Sequence, residues 1–560
     1  MWQRWKQHAG SRPDAEAIIH WVAGEKPVRW TFRALFDMAV KFAVHLNNNG
    51  IGRNAVCAII IRHNPYFYPL YMGISSLGAI PAVLAYPNPR LHPDKFRQGI
   101  EGMSQRSGLD WILTEEDLAP VVAPLAERKE STIRGLMFPL NWDLEAADAG
   151  SFIPAEGIRD TDPFLLQHSS GTTGLQKPVL LSHRAVLEHV EHYARSIGQT
   201  EQDKVVSWLP LYHDMGLIAA FHLPLAYGIP SVQIDPFEWV LAPLLLAEAI
   251  SKEQATLCWL PNFAYNMMAD KIFDEDLEPF SLASMRMFIN CSEPVRSESH
   301  RRFVEKFLPF GLDRGSLSAC YAMAETTFAV TQTPAGLAPA EVMLDRGEIM
   351  KGKAVRTDNP EAARICVSSG TVIGGCGVRI VDGERRDLPA GQLGEVAIRS
   401  VSLFDGYRNY PEKTAAVMQD GWYFSGDIGF ELDGEYYIVG RKKDIIISAG
   451  KNIYPEDIED TVGAVPGVIP GRVIAMGEED GEAGTELISV VAETATEDEA
   501  GRKKLKMEIV KAAMETDTTV SRVYLVPPRW LIKSSAGKPS RNACRERLAD
   551  VTDKNKWRVR

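Results

Sequence analysis

The sequence predicts an α/β protein built around a largely parallel sheet that helices cover on both faces. Short apolar runs, which are typical of strands buried on both faces, occur at 55–61, 205–209, 287–290 and 378–381. Patterns with apolar residues three and four positions apart predict helices between them, at 31–49, 183–197, 241–251 and 297–308. Strands that alternate with helices favour a parallel sheet, because each crossover helix returns the chain to the same end of the sheet.

The stretch between Arg62 and Arg90 contains no Asp, Glu, Lys or Arg and is long enough to span a bilayer. It also contains five prolines and two glycines, which would break a membrane helix repeatedly. We therefore predict a buried helix, a turn and a strand in this stretch, and no membrane span.

After position 370 the pattern changes to short alternating segments separated by turn dipeptides, which predict hairpins. These dipeptides are Gly374-Gly375, Asp382-Gly383, Ala390-Gly391, Asp420-Gly421 and Asp433-Gly434. A charged cluster at 440–444 precedes a last section with strand and helix patterns. We predict two domains, residues 1–440 and 441–560, with the boundary at this cluster.

Composition narrows the class of protein. The 560 residues are 45% hydrophobic and 24% charged, with 61 basic and 73 acidic residues and a net charge of −12. Such a balance disfavours a nucleic-acid partner, which usually requires a basic face. Seven scattered cysteines without a Cys-x-x-Cys pair predict reduced thiols, and the polar N-terminus lacks a signal-peptide core, so a cytoplasmic location is expected. The oligomeric state is not predicted.

A loop rich in Gly, Ser and Thr is the strongest local signal in the chain. In such a loop, backbone N–H groups, hydroxyls and a lysine can converge on a phosphate. It lacks the Gly-Lys-Ser/Thr ending of a Walker loop, and its spacing alone leaves an ordinary surface loop open. The residues expected to bind phosphate are Ser169, Ser170, Gly171, Thr172, Thr173, Gly174 and Lys177.

Together with other segments, this loop resembles the adenylate-forming superfamily of acyl-CoA ligases, peptide-synthetase adenylation domains and luciferases. The similar segments follow in order at 211–216, 321–326, 423–427, 440–441 and 535–538. The resemblance implies a large N-terminal domain of two doubly wound sheets with a small β-barrel-like part, and a small mobile α+β C-terminal domain. It also implies an enzyme that joins a carboxylic acid to ATP, releasing pyrophosphate.

The resemblance assigns roles to individual residues. Lys538 matches the catalytic lysine of the mobile domain, Glu325 the ligand of Mg2+, and His213 a residue beside the acyl carboxylate. A capping role for Glu325 and a turn role for Asp427 remain open from the residues alone. The nucleotide is expected to contact Tyr321, Ala322 and Met323 on one side and Ser292, Glu293 and Pro294 on the other, with Asp427 and Arg441 at the ribose and Lys443 as the hinge.

The segments 208–216 and 258–268 are expected to line the acid pocket. They are aromatic and aliphatic with flexible methionines, which suits an alkyl chain, and they contain no evident acid to pair with an amino group. A fatty acid is therefore the expected substrate. The predicted substrate-binding residues are His213, Asp214, Met215, Phe263 and Tyr265.

Within the superfamily, the chain is most similar to the fatty acyl-AMP ligases. Ala324 before Glu325, and the long stretch Thr331–Val367, resemble that group, whose insertion restrains the small domain. The resemblance implies transfer of the acyl group to the phosphopantetheine thiol of an acyl carrier protein. Pro178, Cys291 and Ala536 depart from the usual pattern, and two alternatives stay open: an acyl-CoA ligase that uses free CoA, and an inactive nucleotide-binding scaffold.

Overall fold

The structure is a computed structural model. It describes residues 1–87, 93–127, 131–169, 177–448, 451–480, 485–514, 518–533 and 539–549. In chain order the strands are β1 (Glu16–Trp21), β2 (Val28–Thr31), β3 (Val56–Ile60), β4 (Ile80–Val83), β5 (Trp111–Thr114), β6 (Gly135–Met137), β7 (Pro163–Ser169), β8 (Lys177–Ser182), β9 (Val205–Ser207), β10 (Ser231–Ile234), β11 (Leu257–Leu260), β12 (Met287–Asn290), β13 (Leu317–Ala322), β14 (Ala329–Gln332), β15 (Glu341–Asp345), β16 (Ala363–Val367), β17 (Thr371–Val372), β18 (Cys376–Val381), β19 (Gly394–Ser400), β20 (Met418–Gln419), β21 (Trp422–Leu432), β22 (Glu435–Arg441), β23 (Ile446–Ser448), β24 (Lys451–Ile453), β25 (Val473–Asp480), β26 (Thr485–Glu493) and β27 (Val520–Val526).

Helices lie between most of these strands. In chain order they are α1 (Trp2–Ser11), α2 (Phe32–Asn48), α3 (Phe67–Ser76), α4 (Pro93–Ser107), α5 (Ala119–Ala126), α6 (His183–Ser196), α7 (Leu223–Tyr227), α8 (Pro236–Leu241), α9 (Leu244–Glu253), α10 (Asn262–Lys271), α11 (Asp274–Leu277), α12 (Ser297–Phe307), α13 (Arg346–Met350), α14 (Pro411–Val417), α15 (Pro455–Gly463), α16 (Glu499–Met514) and α17 (Arg541–Ala549). A π-helix, Met215–His222, precedes α7.

Two α/β sheets dominate the fold. The larger has the strand order β17-β14-β13-β12-β11-β9-β10-β1-β2, and the smaller has the order β4-β3-β5-β6. The six central strands from β13 to β1 run parallel, as do all four strands of the smaller sheet. Strand β3 is buried along its whole length, as its continuous apolar run predicts. The predicted doubly wound architecture is confirmed.

Most of the predicted elements form close to their predicted bounds, and two predictions were wrong. The run at 378–381 belongs to β18, which pairs antiparallel with β19 and lies outside the parallel sheets. The start of the helix predicted at 241–251 was also wrong: it is α9, which begins at Leu244, because Pro243 disfavours helical backbone at Ala242. The uncharged stretch forms α3 and β4, as predicted.

The region expected to be barrel-like is a five-stranded antiparallel sheet, β18-β19-β21-β20 with β22 on β21. Its two tight hairpins occur at the predicted turn dipeptides. Asp420 and Gly421 have φ values of 52° and 77°, and Asp433 and Gly434 have 56° and 82°. Positive φ at both central residues matches the right-handed twist of the flanking strands, which is why Asp-Gly suits these turns.

The last section of the chain has a three-stranded sheet, β25-β26-β27, with β25 and β26 antiparallel and β26 and β27 parallel. Helices α15 and α16 pack beside it around a separate apolar core that also includes Met350 of α13. Among the described residues, no helix is both long enough and apolar enough to cross a bilayer.

Candidate active site

The predicted site residues converge because four neighbouring parallel strands of the large sheet end at one edge. The motif with His213 follows β9, Phe263 follows β11, Ser292 follows β12, and Tyr321 lies at the end of β13. The carboxyl ends of parallel strands meet at the same edge, which is where ligands bind in open α/β sheets. Segments that are distant in the sequence thereby form one region.

The antiparallel sheet contributes the second wall through Asp427 on β21. Its carboxylate accepts a hydrogen bond of 2.6 Å from the Tyr321 hydroxyl and lies 3.3 Å from Arg441 Nε. Asp427 and Arg441 are directly opposed in the β21–β22 register. The Asp427 charge raises the pKa of Arg441, while burial raises that of Tyr321, so the site keeps a fixed cation and a protonated phenol.

Glu325 and Lys177 are connected through a residue that the sequence analysis did not select. The Tyr407 hydroxyl donates to Glu325 Oε1 at 2.7 Å and accepts from Lys177 Nζ at 3.1 Å. Lys177 Nζ also lies 4.8 Å from the centre of the Tyr407 ring, which is a cation–π distance. Glu325 is buried, with 7% of its surface exposed. The phosphate-loop lysine and the predicted metal ligand therefore share one hydrogen-bonded chain.

The phosphate loop itself lies almost wholly outside the described residues. Residues 170–176, which include the predicted Ser170, Gly171, Thr172, Thr173 and Gly174, are not described, nor is the side chain of Ser169. The strands that flank them, β7 and β8, pair antiparallel and end on the opposed residues Ser169 and Lys177.

On the other side of the site, Ser292 has a left-handed backbone with φ of 70°, and its hydroxyl lies 3.8 Å from Met215 Sδ. A positive φ is rare for serine and is frequent at ligand sites. Glu293 Oε2 accepts a hydrogen bond of 3.0 Å from the Phe263 backbone N–H. Glu293 thus caps the first turn of α10, so its carboxylate fastens the acid-side wall to the predicted adenine-side loop.

The acid side combines one polar pair with an aromatic wall. His213 Nδ1 lies 2.7 Å from Asp214 Oδ1. Trp208 and Trp239 stack face to face with their ring centres 3.7 Å apart, and Phe263 stands edge-on to both, 38% exposed. Such a surface suits the apolar part of a ligand.

One predicted pocket residue lies in the interior. Tyr265 is fully buried, with its ring centre 5.2 Å from that of His300 and 5.0 Å from that of Phe303. It sits on the inner face of α10, two positions after the half-exposed Phe263, and helical geometry turns these two side chains to different faces. Its packing is that of a core residue, in contrast to the exposed face of Phe263.

Two predicted lysines belong to the C-terminal section. Burial lowers the pKa of Lys443 to about 8, and the neighbouring Arg441 charge adds to this shift. Lys538 lies outside the described residues. The chain on either side is described, and Lys533 forms an antiparallel bridge with Pro539. Burial lowers the pKa of Lys533 to about 8, and the Glu293 carboxylate partly opposes that shift.

Tyr407 and Trp239 are the residues that sequence reasoning missed. Each lies outside the motif segments, although Tyr407 stands in a Gly-Tyr pair and Trp239 in an aromatic Phe-Glu-Trp run. Tyrosine and tryptophan carry both a large apolar surface and a polar tip, so an aromatic residue in such a run could have served as a signal.

The donor set fits a nucleotide and a magnesium ion. Lys177 and Arg441 can bind phosphate and ribose oxygens, and Asp427 can accept from ribose hydroxyls. Mg2+ prefers oxygen ligands and is commonly held by one or two carboxylates together with substrate phosphates. The buried Glu325 can supply such a carboxylate, because the bond to Tyr407 engages only Oε1.

Comparisons with known proteins find a matching family model and similar proteins. The family model described as AMP-binding enzyme matches residues 5–408. A Mycobacterium tuberculosis protein designated as ligase Rv1013 is 30% identical over 531 residues, covering 92% of this chain and 94% of that protein. The long-chain-fatty-acid–AMP ligase FadD26 of Mycobacterium bovis is 27% identical, covering 97% and 96%.

Among solved structures, one from a study of fatty acyl-adenylate ligases of E. coli and L. pneumophila superimposes with a TM-score of 0.89. It is 24% identical and covers 98% of this chain and 96% of the other, so the likeness extends over both the sheets and the C-terminal section.

Proposed function

Since the chain belongs to the AMP-binding enzyme family, we propose that it activates a fatty acid with ATP to acyl-AMP, releasing pyrophosphate, and then transfers the acyl group to a carrier-protein thiol. ATP, held with Mg2+, is the nucleotide substrate. The FadD26 relative, a long-chain-fatty-acid–AMP ligase, supports the fatty-acid class.

The observation that carries the proposal is that two series of hydrogen-bonded or ion-paired side chains meet at one sheet edge. Tyr321, Asp427 and Arg441 form the first series, and Lys177, Tyr407 and Glu325 form the second. The aromatic wall around Phe263 follows the neighbouring strand β11. A nucleotide and an apolar acid can therefore bind side by side.

In the first half-reaction, a carboxylate oxygen bonds to the α-phosphorus while the bond to the pyrophosphate oxygen breaks. Negative charge on the phosphoryl oxygens must be balanced, and fixed cations do this best because they need no reorganisation. Lys177 and Arg441 supply such charge, and Asp427 orients the ribose. Bound Mg2+, with Glu325 as its protein ligand, would neutralise further phosphate charge.

We assign the binding of the substrate's reacting carboxylate to Lys538 and to the region of His213. The described neighbours support this role for Lys538, since Lys533 and Pro539 pair at the base of the segment and Lys533 is electrostatically close to Glu293. His213 and Asp214 lie after β9 at the same sheet edge, where they orient the acid. Lys443 serves as the hinge between residues 1–440 and 441–560.

The choice of a carrier protein as acceptor has support in the stretch 331–367. Arg364 within it lies 2.9 Å from Asp457 and stacks over the Tyr454 ring at 5.4 Å. These contacts join the stretch to the C-terminal section, as the resemblance to acyl-AMP ligases implies. Transfer to free CoA is the alternative.

Adenylation is tested by pyrophosphate release from the purified chain with ATP, Mg2+ and a series of saturated fatty acids, with phenylalanine as the amino-acid control. We expect release with fatty acids and none with phenylalanine. The Lys538→Ala variant should lose on the order of 10²- to 10³-fold in rate while binding ATP normally. No release with any acid would leave the inactive-scaffold alternative.

The acceptor is tested by offering the preformed acyl-AMP complex either a phosphopantetheinylated carrier protein or free CoA. Thioester on the carrier and little acyl-CoA is the expected outcome. A carrier protein without phosphopantetheine is the control, since it lacks the thiol. Efficient acyl-CoA formation would assign the chain to the CoA ligases instead.

A further inference from the structure

Tyr407 belongs to the segment Phe404-Asp-Gly-Tyr-Arg408, to which the proposed reaction assigns no step. Its side chain is buried, with 4% of its surface exposed, and its hydroxyl stands between Lys177 and Glu325. A phenol has one proton to donate and lone pairs to accept with. Here the hydroxyl donates its hydrogen bond to Glu325, and its oxygen accepts a hydrogen bond from Lys177.

The backbone fixes this segment to both of the elements that Tyr407 joins. On the phosphate-loop side, Leu180 N donates to Gly406 O at 3.1 Å and Arg408 N donates to Pro178 O at 2.9 Å, both on β8. On the other side, Phe404 N donates to Glu325 O at 2.8 Å. The segment therefore spans from the strand leaving the phosphate loop to the turn that carries Glu325.

The orientation of Tyr407 is also fixed from behind. Its own N–H donates to Thr414 Oγ1 at 2.9 Å. A phenol carries its proton at neutral pH, so the hydroxyl remains a donor to Glu325.

We propose that Tyr407 is a positioning residue that couples phosphate binding to metal binding: its hydroxyl holds Glu325 through Oε1 and keeps Lys177 from pairing directly with that carboxylate. The inference deepens the proposed function and rests on it for the identity of the reaction. Without the hydroxyl between them, the Lys177 ammonium and the buried Glu325 carboxylate would attract each other directly. Each would then be withdrawn from its ligand.

The test compares Tyr407→Phe with Tyr410→Phe, the same change three residues further along the chain. Calorimetry measures the binding of ATP with Mg2+ and of ATP in EDTA, and pyrophosphate release measures the Mg2+ concentration for half-maximal rate. We expect Tyr407→Phe to weaken Mg-ATP binding and raise the half-maximal Mg2+ concentration, each about 10-fold. Binding of metal-free ATP should weaken less, because it loses only the Lys177 contact and no metal ligand, and Tyr410→Phe should behave as wild type.

A double-mutant cycle with Glu325→Gln separates this role from simple packing. If Tyr407 acts through Glu325, the two losses in Mg-ATP affinity will not add. Additive losses, or an unchanged Mg2+ dependence in Tyr407→Phe, would overturn the inference. Because the binding readout needs no acid substrate, it still judges Tyr407 if wild type fails to release pyrophosphate, in which case only the proposed reaction is wrong.

Discussion

Asp427 makes two polar contacts at once, with the Tyr321 hydroxyl and with Arg441. Its position follows from register, because Arg441 is its direct partner on the neighbouring strand β22. Tyr321 comes from the other sheet, 106 residues earlier in the chain. One carboxylate therefore joins the two walls of the cleft before any ligand binds, and the same oxygens are available to a ribose.

We expect Asp427→Asn to weaken AMP binding roughly 10- to 100-fold, because hydrogen bonds to a charged acceptor are stronger than neutral ones. Calorimetric titration with AMP measures this. The control is Asp433→Asn, an exposed aspartate at the turn of the same β21–β22 hairpin. Equal affinity in the two variants would remove Asp427 from the nucleotide site.

At this scale the sequence predicts residue types better than contacts. Tyr321, Asp427 and Arg441 can be selected because motif segments carry them. The bond between Tyr407 and Glu325 could not be predicted, because 82 residues separate the two and no local pattern encodes a contact at that distance. The burial of Tyr265 cannot be predicted in the same way, because composition does not reveal which face of α10 turns inward.

Among the secondary-structure elements, helix α17 is attached to its neighbours by ion pairs of its first residue, Arg541. Arg541 lies 3.0 Å from Asp444, 3.1 Å from Glu456 and 2.8 Å from Glu459. One guanidinium thus faces three carboxylates from α15 and from the 441–444 turn. Burial outweighs the Arg541 charge and raises the pKa of Glu459 to about 7, and Glu456 adds to the shift.

This pKa gives a pH dependence of stability with a definite sign. The folded chain holds the Glu459 proton up to about pH 7, whereas the unfolded chain releases it near its ordinary value of 4.5. The associated stabilisation is present below pH 4.5 and is lost as the pH rises through about 7. Glu459→Gln cannot titrate, so its melting temperature should fall less than that of wild type between pH 5 and 7.5.

Scanning calorimetry across that pH range measures the difference. The matched control is Glu508→Gln on α16, whose carboxylate pairs with the exposed Lys504 at 3.8 Å. Parallel curves for wild type and Glu459→Gln would mean that Glu459 is already ionised throughout.

The elements also mark where sequence reasoning about the fold stops. Runs such as 287–290 predict strands accurately, since a short strand buried on both faces needs apolar residues in succession. The run at 378–381 is also mostly apolar, but it is only partly buried and pairs antiparallel with β19. Strand partners depend on long-range pairing, which the local composition does not contain.

Across the whole molecule, α15 is the place where the C-terminal section meets the rest of the chain through charge. Arg296 lies 2.6 Å from Asp460 and 3.9 Å from Asp457, and Arg364 shares Asp457. Arg296 closely follows the loop at 292–294. Salt bridges therefore connect the C-terminal section to the chain just after the predicted adenine-side loop.

We expect Arg296→Ala to loosen this contact, because two acidic groups on α15 lose a cation. Partly exposed ion pairs contribute up to about 1 kcal/mol each, so trypsin should cut at Arg441, Lys442 or Lys443 a few-fold faster. Limited proteolysis followed by mass spectrometry measures the rate. Arg301→Ala is the control, since within the described part of the chain Arg301 forms its ion pairs with Glu298 and Glu305 of its own helix α12. Identical cleavage in both variants would contradict the expectation.

The π-helix at Met215–His222 has a consequence for how this chain can vary. It begins directly after His213 and Asp214, and every one of its residues is buried. A π-turn holds one residue more than the α-turn it widens. Deleting one residue here would let the π-helix become an α-helix. The preceding segment with His213 would then rotate by about 100° about the helix axis. We therefore expect the orientation of the His213 imidazole to depend more on the length of the π-helix than on which apolar side chains it carries.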